Sequence, residues 1–315
     1  MCSEEQPLPS VPAKVEHHWQ WRALSIRYQQ VGSIGPAVLL IHGFGASSDH
    51  WRKNLPVLGQ HCRAYAVDLL GFGGSAKPRP GVPLPYTFET WGSLVVDFVK
   101  EVIGEPVYLV GNSIGCIVAL QAAVMDPTSV LGVAMLDPSL RLLHERKQQQ
   151  IPWWRRWSTP LIQTLLGWPL LGHFFFAQVA QAGAIKNILL QAYGRKEAVT
   201  DELVQTLLKP ARDPGAAEVF LAFVRYSQGP LAEDLLPQLT CPVLILWGEA
   251  DPWEPIALGR ALAEFPCVVG FIPLAGVGHC PQDEAPELVN PLLLDWIHGS
   301  LSKSKQDSTA ASANG

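Results

Sequence analysis

Two hydrophobic rhythms alternate along this chain. "PAVLLIHGFG" (36–45) is a continuous apolar run that ends in glycines, the pattern of a strand buried on both faces and followed by a loop. "RAYAVDLLGFGGS" (63–75) repeats it, as do "PVYLVGN" (106–112), "VLGVAMLD" (130–137), "PVLILWGEAD" (242–251) and "CVVGFIPL" (267–274). Between these runs, "FETWGSLVVDFVKEVI" (88–103) and "IGCIVALQAAVMD" (114–126) place apolar residues three and four apart, the period of a helix. A terminal helix is predicted over 285–300, and "WQWRALSIRYQQVG" (19–32) alternates like an antiparallel edge hairpin. Strands alternating with helices predict an α/β fold with a doubly wound, mostly parallel sheet, because right-handed crossovers cover both of its faces.

The pattern breaks between Asp137 and Pro242, where helical spacing continues without a strand for longer than any plain connection. An inserted helical cap is predicted over 145–232, with the core formed by 19–144 and 233–301. The acidic, proline-bearing stretch 1–18 and the small polar tail 302–315 are expected to be disordered.

Composition narrows the class. With 315 residues, 48% of them hydrophobic and 16% charged, the chain can bury one large core. A net charge of −5 argues against nucleic acid as a partner, which would need a basic face. Six cysteines without a C-x-x-C pair or zinc spacing fit free thiols in a reducing compartment, and neither a metal nor a cofactor is expected. The N-terminus reads as neither a secretory nor a transit leader, so a cytoplasmic protein is expected. Trp157 to Ile185 carries no formal charge, yet Pro160, Gly167, Pro169 and Gly172 break it into pieces too short to span a bilayer. Short amphipathic helices over an apolar cavity are expected there, leaving room for a peripheral membrane contact.

The candidate chemistry centres on "GNSIG" (111–115), where a strand runs into a helix through Ser113. So tight a turn exposes the serine, and Gly111 and Gly115 remove side chains where backbones cross. A serine hydroxyl at neutral pH needs a neighbouring base. His279, in a glycine-bearing loop after the last strand, is the candidate; His17, His18, His144 and His298 read as solvated, while His50, His61 and His173 have no recommending context. The acid is assigned to Asp251, in a turn after the strand that starts near Pro242, with Asp137 as its competitor. Phe44 in "HGFG" and Ile114 after the serine are the candidate oxyanion N–H donors. His42 and Asp68 read as loop organisers.

Ser–Asp–His is the chain order of α/β-hydrolases. A serine rather than an aspartate at the elbow points to acyl transfer through an acyl-enzyme, normally ester hydrolysis. "IPWWRRW" (151–157) puts Trp153, Trp154 and Trp157 beside Arg155 and Arg156; with Trp253, these tryptophans are the candidate substrate-binding residues for a bulky apolar small-molecule ester. "EVIGEPVYLVGNSIG" (101–115), "GEADPWEP" (248–255) and "AGVGHCPQDEAPELVN" (275–290) resemble the pheophytinase group of α/β-hydrolases. That resemblance implies removal of the phytyl alcohol from pheophytin or a related chlorin, with Ser113 as nucleophile, Asp251 as acid and His279 as base. It further implies chlorophyll catabolism at or near a thylakoid membrane. Cys116 departs from the group, which usually has a small glycine there. The alternatives are a hydrolase of C–C bonds in ring-cleavage products, a broad-specificity carboxylesterase, and a non-catalytic binding protein on the same scaffold. Oligomeric state is not legible.

Overall fold

The computed structural model describes residues 14–142, 144–150 and 168–299. Eight strands form one sheet: β1 (Val15–Trp21), β2 (Leu24–Val31), β3 (Ala37–Ile41), β4 (Arg63–Val67), β5 (Val107–Asn112), β6 (Val130–Leu136), β7 (Val243–Gly248) and β8 (Val268–Leu274). Their order is β1-β2-β4-β3-β5-β6-β7-β8. β1 with β2 and β2 with β4 pair antiparallel, and all other pairs are parallel. The hairpin and the parallel series read from the sequence are both present.

Why the central strands are continuously apolar follows from the sheet's two covered faces. In β3, Leu39 and Ile41 enter the core on one face while Val38 and Leu40 enter the core on the other. β7 divides the same way, with Ile245 and Trp247 on the first face and Leu244 and Leu246 on the second. The first face is covered by α1 (Phe88–Phe98), whose start Thr87 caps by accepting from Thr90 N at 3.3 Å, and by α2 (Ile114–Met125). α2 is buried from Ile114 to Ala123, which explains why it is apolar nearly all round.

Between β6 and β7, the described residues contain α3 (Pro169–Val179), α4 (Ala182–Ala192), α5 (Asp201–Ala211) and α6 (Ala216–Val224). α7 (Pro286–Ile297) follows β8 and covers the second face of the sheet with Leu293 and Trp296. Among the described residues, no helix is long and apolar enough to cross a membrane. Trp153, Trp154 and Trp157 lie outside the described residues, as do most of the two termini.

Two expectations are corrected here. Val15 to His18, read from the sequence as part of a disordered stretch, begin β1 because β2 offers their backbone a pairing edge. His144 is buried, not solvated: its Nε2 meets the Gly229 carbonyl at 2.9 Å, and its Nδ1 accepts from Arg146 N at 3.1 Å.

Candidate active site

β5 ends at Asn112, and Ser113 turns the chain into α2 with φ 56° and ψ −119°. A positive φ is costly for a residue with a Cβ, so packing must impose it. It does so from both sides. A Cβ on Gly111 would stand 2.4 Å from the Gly115 carbonyl carbon, and one on Gly115 would stand 2.4 Å from the Ile41 carbonyl oxygen of β3. Cys116, the departure noted above, is accommodated because its thiol donates to the Gly111 carbonyl at 3.1 Å.

The loop after β3 closes onto this turn. A Cβ on Gly43 would fall 3.2 Å from the Ser113 Cβ, which brings the "HGFG" backbone against the elbow. His42 shapes that loop. Leu69 N donates to His42 Nε2 at 3.0 Å, so Nδ1 carries the proton and donates to the Gly43 carbonyl at 2.8 Å. Burial pushes the His42 ring toward its neutral form, which suits a fixed hydrogen-bonding spacer. Asp68 braces the neighbouring turns by accepting from Ser48 N at 2.6 Å and Gly74 N at 2.7 Å. Ile114 is the first residue of α2, so its N–H has no intrahelical acceptor. The Phe44 ring stacks on Phe223 at 4.6 Å between centroids.

His279 stands in the loop after β8. Its Nδ1 donates to Asp251 Oδ2 at 2.7 Å, leaving Nε2 as the basic nitrogen. The other carboxylate oxygen, Asp251 Oδ1, accepts from Trp253 N at 2.8 Å and Glu254 N at 3.0 Å, which fixes its plane. The imidazole's partner is therefore Asp251 and not Asp137, which lies fully buried behind it and accepts from Gly248 N at 2.9 Å. Ser113, His279, Phe44, Ile114 and Trp253 all line one cavity of about 560 Å³. The Trp253 ring lies 5.1 Å from the His279 ring.

Several residues at this site escaped the sequence reading. Asn112 donates through Nδ2 to the His279 carbonyl at 3.0 Å and to Leu136 O at 3.1 Å, while its Oδ1 accepts from Gln282 at 3.1 Å. It thereby ties the serine turn to the histidine loop. Glu284 accepts from Cys280 N, Gly194 N and Arg195 N, joining that loop to the segment after α4. His50 lines the cavity and bonds Tyr193 Oη at 2.9 Å; the tyrosine donates to Asp283 at 3.2 Å, and Arg52 donates to the same carboxylate at 2.9 Å. Burial pushes the His50 ring down to about 4, so it stays neutral. The one local signal for these residues was Asn112, a polar residue ending an apolar strand beside the serine.

Glu254, half-buried on the cavity wall, accepts from Ser139 Oγ at 3.1 Å. Burial pushes its carboxyl up to about 7 from an ordinary 4.5, against the opposing pull of His279. A raised folded-state value means that the folded chain holds the proton more tightly than the unfolded chain. Stability from that proton is complete below about pH 4.5 and is lost as pH rises through about 7. Glu254→Gln should therefore melt above the parent at pH 8, with the gap closing below pH 5. Thermal melts at both values check this, and an equal gap at both would refute the coupling.

An α/β fold with a serine-bearing turn, a histidine–carboxylate pair and a cavity at the strand ends defines a hydrolase. The chain matches the model of the Alpha/beta hydrolase family over residues 38–292, and it belongs to that family. Among curated relatives it is 27% identical to a chloroplastic pheophytinase of Arabidopsis thaliana, covering 91% of this chain and 67% of that one. It is 34% identical to 2-hydroxy-6-oxo-6-(2'-aminophenyl)hexa-2,4-dienoic acid hydrolase of Metapseudomonas resinovorans, covering 96% of each. Of solved structures, an epoxide hydrolase superposes with a TM-score of 0.75 at 22% identity, covering 91% of this chain and 99% of that one, a likeness of fold.

Proposed function

We propose that this hydrolase cleaves carboxylic esters with a bulky apolar group through a Ser113 acyl-enzyme, the phytyl ester of pheophytin or a related chlorin being the leading case. In this reading Ser113 Oγ attacks the ester carbonyl as His279 Nε2 takes its proton. The N–H groups of Phe44 and Ile114 hold the developing oxyanion. His279 returns the proton to the departing alcohol, and a water activated by the same ring then releases the acid. Asp251 keeps the imidazole in the right tautomer and stabilises its cation.

One observation carries the substrate class. The cavity above Ser113 is walled by Phe175, Val179, Ile185, Leu189, Leu207 and Phe220, a mostly apolar lining with few polar side chains. A long hydrocarbon fits such walls, and a charged substrate does not. α3 also turns Leu170 (88% exposed) and Phe174 (67% exposed) outward beside this cavity. A lipid surface delivering the ester is expected to meet that face.

The relative that hydrolyses a dienoic acid favours a second reading, cleavage of a C–C bond in an anionic dienol. Such a substrate needs a free cation. Among the described lining residues, Lys77 is the candidate, and it is already bound to Asp213 at 2.8 Å and to the Gly73 carbonyl at 2.6 Å. That weighs toward the ester.

Release assays across esters from acetyl to phytyl test the choice. Turnover per unit of substrate should rise with the size of the apolar group, and phytol should appear from pheophytin in detergent. Fast cleavage of short esters without any phytol would remove the chlorin, and turnover of a coloured dienol alone would favour the second reading.

A further inference from the structure

We propose that Asp137 is a positioning residue that acts as a neutral carboxylic acid, donating a hydrogen bond to the Asp251 carboxylate and holding it on His279. The proposal rests on the Ser113–His279–Asp251 reading above and adds a fourth group behind it.

The backbone puts Asp137 at the carboxyl end of β6, next to the acid-bearing turn after β7. Its N–H donates to the Leu246 carbonyl at 3.0 Å, and its φ of 43° is unfavourable for a residue with a Cβ. Side chain and turn are interlocked through Gly248. The Gly248 N–H donates to Asp137 Oδ1 at 2.9 Å, and the Gly248 carbonyl accepts from Asp251 N at 3.3 Å. The second oxygen, Asp137 Oδ2, is fully buried and meets no N–H or O–H donor among the described residues. The strongest charge acting on it is the Asp251 carboxyl, in the turn that Gly248 opens.

Two buried carboxyl groups on adjoining turns that act this strongly on each other cannot both be ionised, so one holds a proton. The donors decide which. Asp251 receives His279 Nδ1, Trp253 N and Glu254 N, whereas Asp137 receives Gly248 N. The charge therefore stays on Asp251 and the proton on Asp137, whose O–H then satisfies the otherwise unpartnered contact. Burial, with Asp251 as the next cause, pushes the Asp137 carboxyl well up; Glu284 adds to it. The thiols of Cys116 and Cys280 also sense Asp137, and burial pushes both well up, so neither adds a charge. A neutral donor fixes the plane of Asp251 without placing a second negative charge behind the imidazole.

The test uses the full chain and p-nitrophenyl butyrate, with labelling by a fluorophosphonate and thermal melting alongside. Asn mimics the protonated acid: its carbonyl can accept from Gly248 N while its amide donates to Asp251. Asp137→Asn should keep kcat within about threefold and leave the acid limb of the pH–kcat/KM profile in place. Asp137→Ala loses the donor, so kcat should fall about ten- to a hundredfold with KM little changed. Its acid limb should move up, because Asp251 freed of that bond favours the protonated ring more strongly.

An Asp137→Asn chain as inactive as Asp251→Asn would overturn the proposal, since Asp137 would then be needed ionised. So would a folded Asp137→Ala chain with the parent's kcat and pH profile. Should the alanine variant fail to fold, Asp137→Asn alone decides: parental turnover and limb uphold the neutral carboxyl, and their loss refutes it. A parent chain that neither turns over the ester nor takes the label would instead remove the triad reading, and that result comes first.

Discussion

Replacing Ser113 with alanine is expected to cut ester turnover by roughly 10⁴- to 10⁶-fold and to abolish fluorophosphonate labelling, while the melting temperature stays within a few degrees of the parent. The size follows from how the site is built. The imidazole, its carboxylate and the N–H donors are held by contacts that do not involve the Ser113 hydroxyl: Asp251 to His279, Asn112 to the histidine loop, Ala192 O to His279 N. In the proposed mechanism, removing Oγ leaves that frame standing without its nucleophile. The Ser113 side chain makes no cap hydrogen bond to α2, so the fold loses little. A variant that retained most of its turnover would show that the attacking group lies elsewhere. One that unfolded would show that the hydroxyl was structural.

The second large effect is on stability. Gly115→Val should lower stability by about 3 kcal/mol or more, because the new Cβ would meet the backbone of β3. The obstacles are the Ile41 and His42 carbonyl oxygens, 2.4 and 2.7 Å from the ideal Cβ position, and neither can swing away as a side-chain tip could. For 315 residues, with an unfolding entropy of about 2.1 cal/mol/K per residue, that corresponds to a fall of about 5 °C or more in melting temperature. Gly183→Ala is the matched control. Its Cβ would enter open space on α4, and exchanging glycine for alanine in a helix should leave the melt unchanged or slightly higher. Equal melts for the two variants would mean that the elbow is not packed as described.

Both expectations start from the same seven-residue stretch, yet they draw on different kinds of information. The run "LVGNSIG" carries its own strand, turn and helix signals, so the elbow is legible in the sequence itself. The candidate partners of that elbow are legible as types and in order, because each of Asp251 and His279 follows an apolar run that ends at the same edge of a parallel sheet. The choice between Asp251 and Asp137 was weaker. Both end strands, both are buried, and no periodicity separates them; a 2.7 Å contact with His279 Nδ1 does. His50 was passed over because its partners are Tyr193, 143 positions away, and through it Asp283, a further 90 positions along. His144 was misread because its neighbourhood is polar in sequence, whereas the Gly229 carbonyl that covers it comes from 85 positions downstream.

Local spacing is short-ranged, and whatever a window of ten or fifteen residues can express was legible: the strands, the helices that cover them, the hairpin at the edge and the strained serine. Which carboxylate meets the imidazole, which side chains tie the helical insertion to the histidine loop, and what walls surround the serine were decided by tertiary packing. Those contacts join residues from 28 positions apart, as Asp251 and His279 are, to 90 apart, as Glu284 and Gly194 are, and they form where chain segments converge and exclude water, so that each buried polar atom must find its partner in space.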